Sequence, residues 1–428
     1  MKKIEKVLKD KKDELLDKAN TVGVGIGYVV KNGKETGEVG LVAMVEKKLP
    51  ESELEPQDIH PKIVNGVRID VQEVGKIKAL YCCMNPLKSI LRRRRQNKEQ
   101  SKSRTDKIRP VCPGISVGNK MITAGTLGIL VKYKKDFSGS KKIKDYKNDV
   151  ICDDIKRHDK VMILSNAHVL CDNCFGDFSE QRSLDIHQPG PYDRKPSKDT
   201  YIGKLHRYVK LEKDYPAFGD RALAILDDSI PYSPEIFGYG ARVSKFSKPE
   251  LGKKITKIGR TTGITTGKII MINASVKVDY GGVTVLHKEV FISNAKSAGG
   301  DSGSVSVYDD NTSPGILFAG SPSTSVYTDI RHCENIWGIE PIGGEAKKEY
   351  FFRIILERVD EDYYKINVNV YDTSEKPVKD AEVSLDGLKC KTDSDGYCKF
   401  KVKEGEYELK VTKEGYKEYR EIIKIGKD

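Results

Sequence analysis

Gly299-Gly300-Asp301-Ser302-Gly303 is the stretch that decides how this chain folds and what chemistry it can support. It sets a serine hydroxyl in a glycine-rich turn, where small neighbours let another backbone come close. The amides of Gly300 and Ser302 then converge on one point, as donors to a developing oxyanion would. Two more segments supply partners for that hydroxyl. Ile163-Leu164-Ser165-Asn166-Ala167-His168 ends an apolar strand and delivers His168 at its exit. Gly219-Asp220-Arg221-Ala222-Leu223 opens a buried strand with Asp220, placed to bond the imidazole Nδ1 and leave Nε2 as a base. Each segment alone reads as a turn, a cap or a structural histidine. Together they stand in the order His, Asp, Ser, 52 and 82 positions apart. That leaves room for one barrel carrying His168 and Asp220 and a second carrying Ser302.

The surroundings agree with a β-rich fold. From Gly114 to about Ile342, short β-rich runs alternate with turns of Gly, Pro, Asn and Asp, and no sustained helical period interrupts them. Residues 1–80 read as an α/β module, an amphipathic opening followed by strands that meet at Asn32-Gly33. The glycines of Val22 to Gly27 lie inside a strand, so no phosphate loop is expected. Residues 81–112 read as a basic linker with ten basic residues against two acidic ones, most of the net charge of +12. Residues 364–428 alternate apolar and polar in short runs, the pattern of a small β-sandwich. A charge excess this localised argues against a whole-surface nucleic-acid footprint.

No apolar run of about 18 residues is present, and the opening lacks a secretory h-region, so a cytoplasmic location is expected. Nine cysteines leave at least one thiol unpaired within a monomer. Cys171 and Cys174 form a CxxC with no second pair to complete a zinc site, and neither metal nor cofactor is expected. Cys390 and Cys398 bracket a turn and either face each other or stay as free thiols.

His168 in Ser-Asn-Ala-His-Val, Asp220 before Ala-Leu-Ala and Ser302 in Gly-Asp-Ser-Gly together resemble the trypsin-like serine proteases. The closer likeness is to the bacterial and archaeal members related to the plant narrow-leaf protease. It extends to Val22–Gly27, Arg109–Gly118 with Gly125–Gly128, Gln188–Asp193 and Gly259–Gly267. The resemblance implies a mainly β fold of two antiparallel six-stranded barrels over residues 113–348, with the site in the cleft between them. It implies catalysis by His168, Asp220 and Ser302, and an oxyanion hole made by Gly300 and Ser302. In the matched pattern Lys296 lies at the base of the specificity pocket, where an inward lysine would favour an acidic or polar side chain. Gly315–Ser321, with Gly320, resembles the strand of the pocket wall. The C-terminal stretch resembles the carboxypeptidase regulatory-like, transthyretin-type sandwiches, through Pro377–Val383 and Thr392–Tyr397.

The expected function is a serine endopeptidase acting on protein or peptide substrates through an acyl-enzyme. The alternative is a catalytically inactive protease-fold scaffold that binds peptides or partner proteins. Three readings of the basic segment stand side by side: a solvated tether, an activation segment, and a nucleic-acid or polyanion contact through residues 92–109. Ile115-Ser116-Val117-Gly118 is either the first barrel strand or, after cleavage near Gly114, a source of an amine to pair with Asp301. The oligomeric state and natural substrate are open.

Overall fold

Val7, Leu8, Leu15 and Leu16 recur on one face of the opening helix, α1 (Lys2–Asp17), and are all buried. They pack on β1 (Thr21–Lys31) and β2 (Lys34–Val45), an antiparallel hairpin. Its turn residues Asn32 and Gly33 have φ of 51° and 74°, the left-handed pair that Asn-Gly is suited to. The short β3 (Ile63–Val64) and β4 (Val67–Glu73) follow, and β4 lies parallel to β2. Then comes β5 (Lys78–Ala79). The computed structural model describes residues 1–80, 102–135, 148–151, 160–343, 350–359, 363–372, 376–413, 416 and 419–426. Cys82, Cys83, Cys152 and the basic residues from Lys88 to Lys98 lie outside them.

The first sheet is built from β6 (Ser116–Asn119), β7 (Gly125–Thr126), β8 (Ile129–Tyr133) and β9 (Asp149–Ile151). It continues with β10 (Met162–Ser165), the single-turn α2 (Ala167–Leu170), β11 (Asp185–His187), β12 (Tyr201–Val209) and β13 (Ala222–Leu226). Its strands run in the order β8-β10-β13-β12-β11-β6-β7. The second sheet holds β14 (Lys254–Gly259), β15 (Gly263–Asp279), β16 (Thr284–Ser293), β17 (Val305–Val307), β18 (Gly315–Gly320) and β19 (Ser325–Asp329). The order β14-β17-β18-β19-β16-β15, with β15 pairing back onto β14, closes six strands into a barrel. The helix α3 (Ile330–Trp337) and β20 (Ile339–Pro341) then return the chain to β8.

One hydrophobic core spans both sheets, with Leu164, Leu223, Ile258, Val305 and Trp337 all fully buried. Burial of each such aliphatic side chain contributes roughly 1.5–3 kcal/mol. The N-terminal strands are not detached from this unit, because β1 pairs antiparallel with β15.

A second compact unit spans Gly344–Asp428. It comprises β21 (Tyr350–Arg358), β22 (Tyr364–Asp372), β23 (Glu382–Leu385), β24 (Leu388–Lys391), β25 (Tyr397–Val402), β26 (Gly405–Thr412) and β27 (Tyr419–Ile425). A three-stranded sheet β21-β22-β25 faces a four-stranded sheet β24-β23-β26-β27. Val368 and Phe400 from one sheet share a core with Val383 and Leu409 from the other, which makes the unit a β-sandwich.

The mainly β architecture, with barrel-like sheets and a C-terminal sandwich, is thus the expected one. Helix α3 was not foreseen. Its eight residues are too few to show a helical period, although Asp329 caps it and Gly338 ends it at φ 65°. Cys112, Cys171, Cys174, Cys333, Cys390 and Cys398 are all free thiols.

Candidate active site

Strand register brings the first two site residues together. Ser165 at the end of β10 pairs with Ala222 at the start of β13, so α2 begins beside Gly219-Asp220. The Ala167 amide donates to Asp220 Oδ1 at 2.6 Å, and the Asn166 side-chain amide donates to the Asp220 carbonyl at 2.7 Å. His168, on α2, then sets Nδ1 2.5 Å from Asp220 Oδ2. Its Nε2 lies 2.7 Å from Ser302 Oγ, which the second sheet supplies on the turn before β17. All three side chains are buried. Carboxylate, imidazole and hydroxyl therefore form one unbroken chain across the junction of the two sheets. The carboxylate fixes Nδ1 as the protonated nitrogen, so Nε2 is free to accept the serine proton.

Asp220 also accepts from the Tyr280 hydroxyl at 3.0 Å, and that hydroxyl lies 3.0 Å from His287 Nε2. Burial alone would raise the Asp220 carboxyl, but the His168 ring beside it and the bonds from His168 and Tyr280 hold it below its ordinary value. Burial pushes His287 down to about 4, so it is neutral near pH 7. Tyr280 and His287 carry no motif of their own. They reach the site only through the pairing of β15 with β16 and escaped the reading of the sequence.

The turn that holds Ser302 is itself tightly fixed. Gly300 has φ of 92°, and a Cβ there would come within 2.6 Å of Thr261 Oγ1. Asp301 Oδ1 accepts from the amides of Thr261 at 2.8 Å and Thr262 at 3.0 Å. Its Oδ2 accepts from the Ala298 amide at 3.0 Å and from Lys257 Nζ at 3.0 Å, in an ion pair whose side chains are fully buried. Burial lowers the Lys257 pKa, and Asp301 opposes the shift. In the uncut chain the partner of Asp301 is a lysine of β14, and Ile115 lies buried ahead of β6.

The motif stretches noted in the sequence converge behind the same turn. Thr126 donates its amide to the Ser302 carbonyl at 2.7 Å and its hydroxyl to the Gly300 carbonyl at 3.0 Å. Arg260 donates its amide to Thr126 Oγ1 at 3.0 Å and its Nε to Asp193 at 2.9 Å. Gly128 must be glycine for a steric reason, since a Cβ would meet the Gly303 carbonyl oxygen at 2.4 Å.

Leu80 was not anticipated at the site at all. Its carbonyl oxygen accepts from the Gly300 amide at 2.9 Å and lies 3.1 Å from Ser302 Oγ. Lys296 is exposed, and its backbone carbonyl accepts from Thr265 Oγ1 at 2.8 Å. Gly320 is buried at the end of β18, and a Cβ there would lie 3.6 Å from Leu80 Cδ1. The described part of the basic segment is pinned to the body. Arg104 donates to the Phe237 carbonyl at 2.6 Å, Arg109 to Gln188 Oε1 at 2.6 Å, and Lys107 pairs with Asp199.

Residues 376–428 match the PEGA domain family, where the motifs had pointed to a carboxypeptidase regulatory-like module. No curated protein matches. Among solved structures, the chain is similar to a glutamic acid specific serine protease, with 16% identity, a TM-score of 0.37, and coverage of 54% of this chain and 100% of that one. It is also similar to Thermobifida fusca Protease A, with 15% identity, a TM-score of 0.34, and coverage of 54% and 99%. A Cellulomonas bogoriensis chymotrypsin gives 15% identity, a TM-score of 0.34, and coverage of 54% and 98%. No helix of the described residues is long and apolar enough to cross a membrane.

Proposed function

We propose that this protein is a serine endopeptidase in which Ser302 attacks a peptide carbonyl and His168 takes its proton. The observation that carries the reading is the continuous pair of contacts, 2.5 Å from Asp220 to His168 and 2.7 Å from His168 to Ser302. Asp220 orients the imidazole and stabilises the imidazolium that forms. The amides of Gly300 and Ser302 are the donors for the oxyanion, and that of Gly300 is already bonded to a peptide carbonyl oxygen at 2.9 Å. Collapse of the tetrahedral intermediate passes the proton from His168 to the leaving amine and leaves an acyl-enzyme, which water hydrolyses by the same route. The motif likeness to the bacterial and archaeal relatives of the narrow-leaf protease belongs to this reading.

Labelling with a fluorophosphonate probe tests it. The native protein is expected to take up one probe on Ser302, located by peptide mapping, and Ser302→Ala to take up none. Equal labelling of the two proteins would remove Ser302 from the reaction. Absence of label on the native chain and on variants that open the cleft would favour a scaffold that only binds peptides.

A further inference from the structure

The chain threads its own residues 74–80 along the wall strand of the cleft. Ala79 and Lys78 pair antiparallel with Ala319 and Gly320 of β18, and Lys78 pairs parallel with Asp279 of β15. The Ile77 carbonyl accepts from the Asp279 amide at 3.0 Å, and the Leu80 amide donates to the Phe318 carbonyl at 3.3 Å. Ile77 and Ala79 are buried in the main core. The Leu80 side chain packs on the apolar cluster that includes Leu317 and Tyr327. Its carbonyl group then arrives at the reacting atoms, 2.9 Å from the Gly300 amide and 3.1 Å from Ser302 Oγ. Upstream, Lys76 pairs with Asp279 at 2.9 Å and Ser323 Oγ donates to the Val74 carbonyl at 3.4 Å, so the approach is anchored as well.

An extended strand added to a sheet edge, one side chain in an apolar recess and one carbonyl shared by an amide donor and a nucleophile together describe how a peptide substrate binds. We infer that Ile77-Lys78-Ala79-Leu80 is the built-in substrate of this site. It follows that the protease cuts after leucine-like apolar residues, and that the Leu80–Tyr81 bond is the first bond it cuts. The inference rests on the peptidase reading above and adds to it a specificity and a cleavage point.

In the cut, Ser302 Oγ bonds to the Leu80 carbonyl carbon while its proton passes to His168 Nε2. The Leu80–Tyr81 C–N bond breaks as His168 returns that proton to the Tyr81 nitrogen. Water then releases Leu80 as a carboxylate and restores the Ser302 hydroxyl. Residues 1–80 stay bound through the β1–β15 pairing, and their C-terminal strand continues to fill the cleft. The uncut and freshly cut protein are therefore both self-blocked.

Three measurements on the full-length chain test the inference. Intact mass and N-terminal sequencing should show fragments 1–80 and 81–428 accumulating in the native protein, and no cleavage in Ser302→Ala. Leu80→Asp puts a carboxylate into the apolar recess, and Leu80→Gly removes the side chain. Both variants should resist cleavage after position 80 and label with fluorophosphonate at least tenfold faster than Ser302-competent native chain. A fluorogenic peptide carrying Ile-Lys-Ala-Leu should be cut at least tenfold faster by either variant than the same peptide ending in Glu or Lys. Labelling of the native chain on Ser302 without cleavage after Leu80, or a preference of the Leu80 variants for the Glu or Lys peptide, overturns the inference and leaves the peptidase reading standing. Failure of the native chain and of both Leu80 variants to label overturns the peptidase reading, and the inference with it.

Discussion

Two buried carboxylates accompany Ser302, one as its neighbour in sequence and one through His168, and they are held in opposite ways. Asp301, next to the serine in sequence, meets the fully buried ammonium of Lys257 and three backbone amides. Its charge is cancelled within the turn, and what results is a rigid loop. Asp220 is 82 positions away, yet its Oδ2 reaches His168 Nδ1 at 2.5 Å and its other donors are neutral: a backbone amide and the Tyr280 hydroxyl. The charge of Asp220 thus stays available to stabilise a proton on His168. The same functional group serves architecture in one place and chemistry in the other, and the partner decides which.

Exchanging the carboxylate oxygen that faces the imidazole tests the chemical half most severely. Asp220→Asn keeps the shape but offers Nδ1 no charged acceptor and permits the tautomer whose Nε2 carries the hydrogen. Made in the Leu80→Gly chain, whose site is open, it should lower activity on a fluorogenic peptide by about 10⁴-fold relative to Leu80→Gly alone, with an unfolding midpoint close to that of the same parent. A loss below tenfold would mean that Asp220 is another structural carboxylate and would erase the contrast with Asp301.

The architectural half should break in stability first. Lys257→Met leaves the Asp301 carboxylate buried and unpaired, and should cost about 3–5 kcal/mol in urea unfolding. Adding Asp301→Asn removes the orphaned charge and should recover part of that loss. If Lys257→Met unfolds like the native chain, while kcat falls as far as in Asp220→Asn, then the two carboxylates do not divide the work as described.

Much of this was legible in the sequence, for identifiable reasons. His168, Asp220 and Ser302 sit in local patterns whose residue types are dictated by strand ends and a tight turn, and so are the glycines at 125, 128 and 300. The β-rich runs likewise became β8, β10, β14 and β18 because alternation and turn chemistry are local properties. Lys257, Tyr280, His287 and Leu80 were invisible because their roles come from register between distant strands. Lys257 sits among apolar neighbours in β14 as an unremarkable strand lysine until Asp301 arrives 44 positions later. Leu80 ends a segment with no signature and meets Ser302 across 222 positions.

The finest test of the contrast concerns the neutral donors behind Asp220. The Tyr280 hydroxyl has one proton, which goes to the carboxylate, so it must accept from His287 Nε2–H. Both the neutral Nε2–H tautomer and the imidazolium can make that bond, but among the described residues His287 Nδ1 is buried without a hydrogen-bond partner, as suits the neutral tautomer whose Nδ1 bears no hydrogen. Burial holds the folded-state value at about 4, below the ordinary 6.5. Between those values the unfolded chain binds a proton that the folded chain refuses. This contribution to stability is therefore complete above pH 6.5 and is lost as pH falls toward 4, by an amount on the order of 3 kcal/mol. His332, also held at about 4 by burial, acts with the same sign, so a single curve for the native protein does not isolate His287. His287→Gln does, since glutamine keeps an N–H for Tyr280 but does not titrate. Its urea midpoint should lie slightly below native at pH 7 and fall less between pH 7 and pH 4.5. Equal slopes for the two proteins would mean that His287 already carries its proton in the fold, and Asp220 would then have a charged neighbour behind it just as Asp301 does.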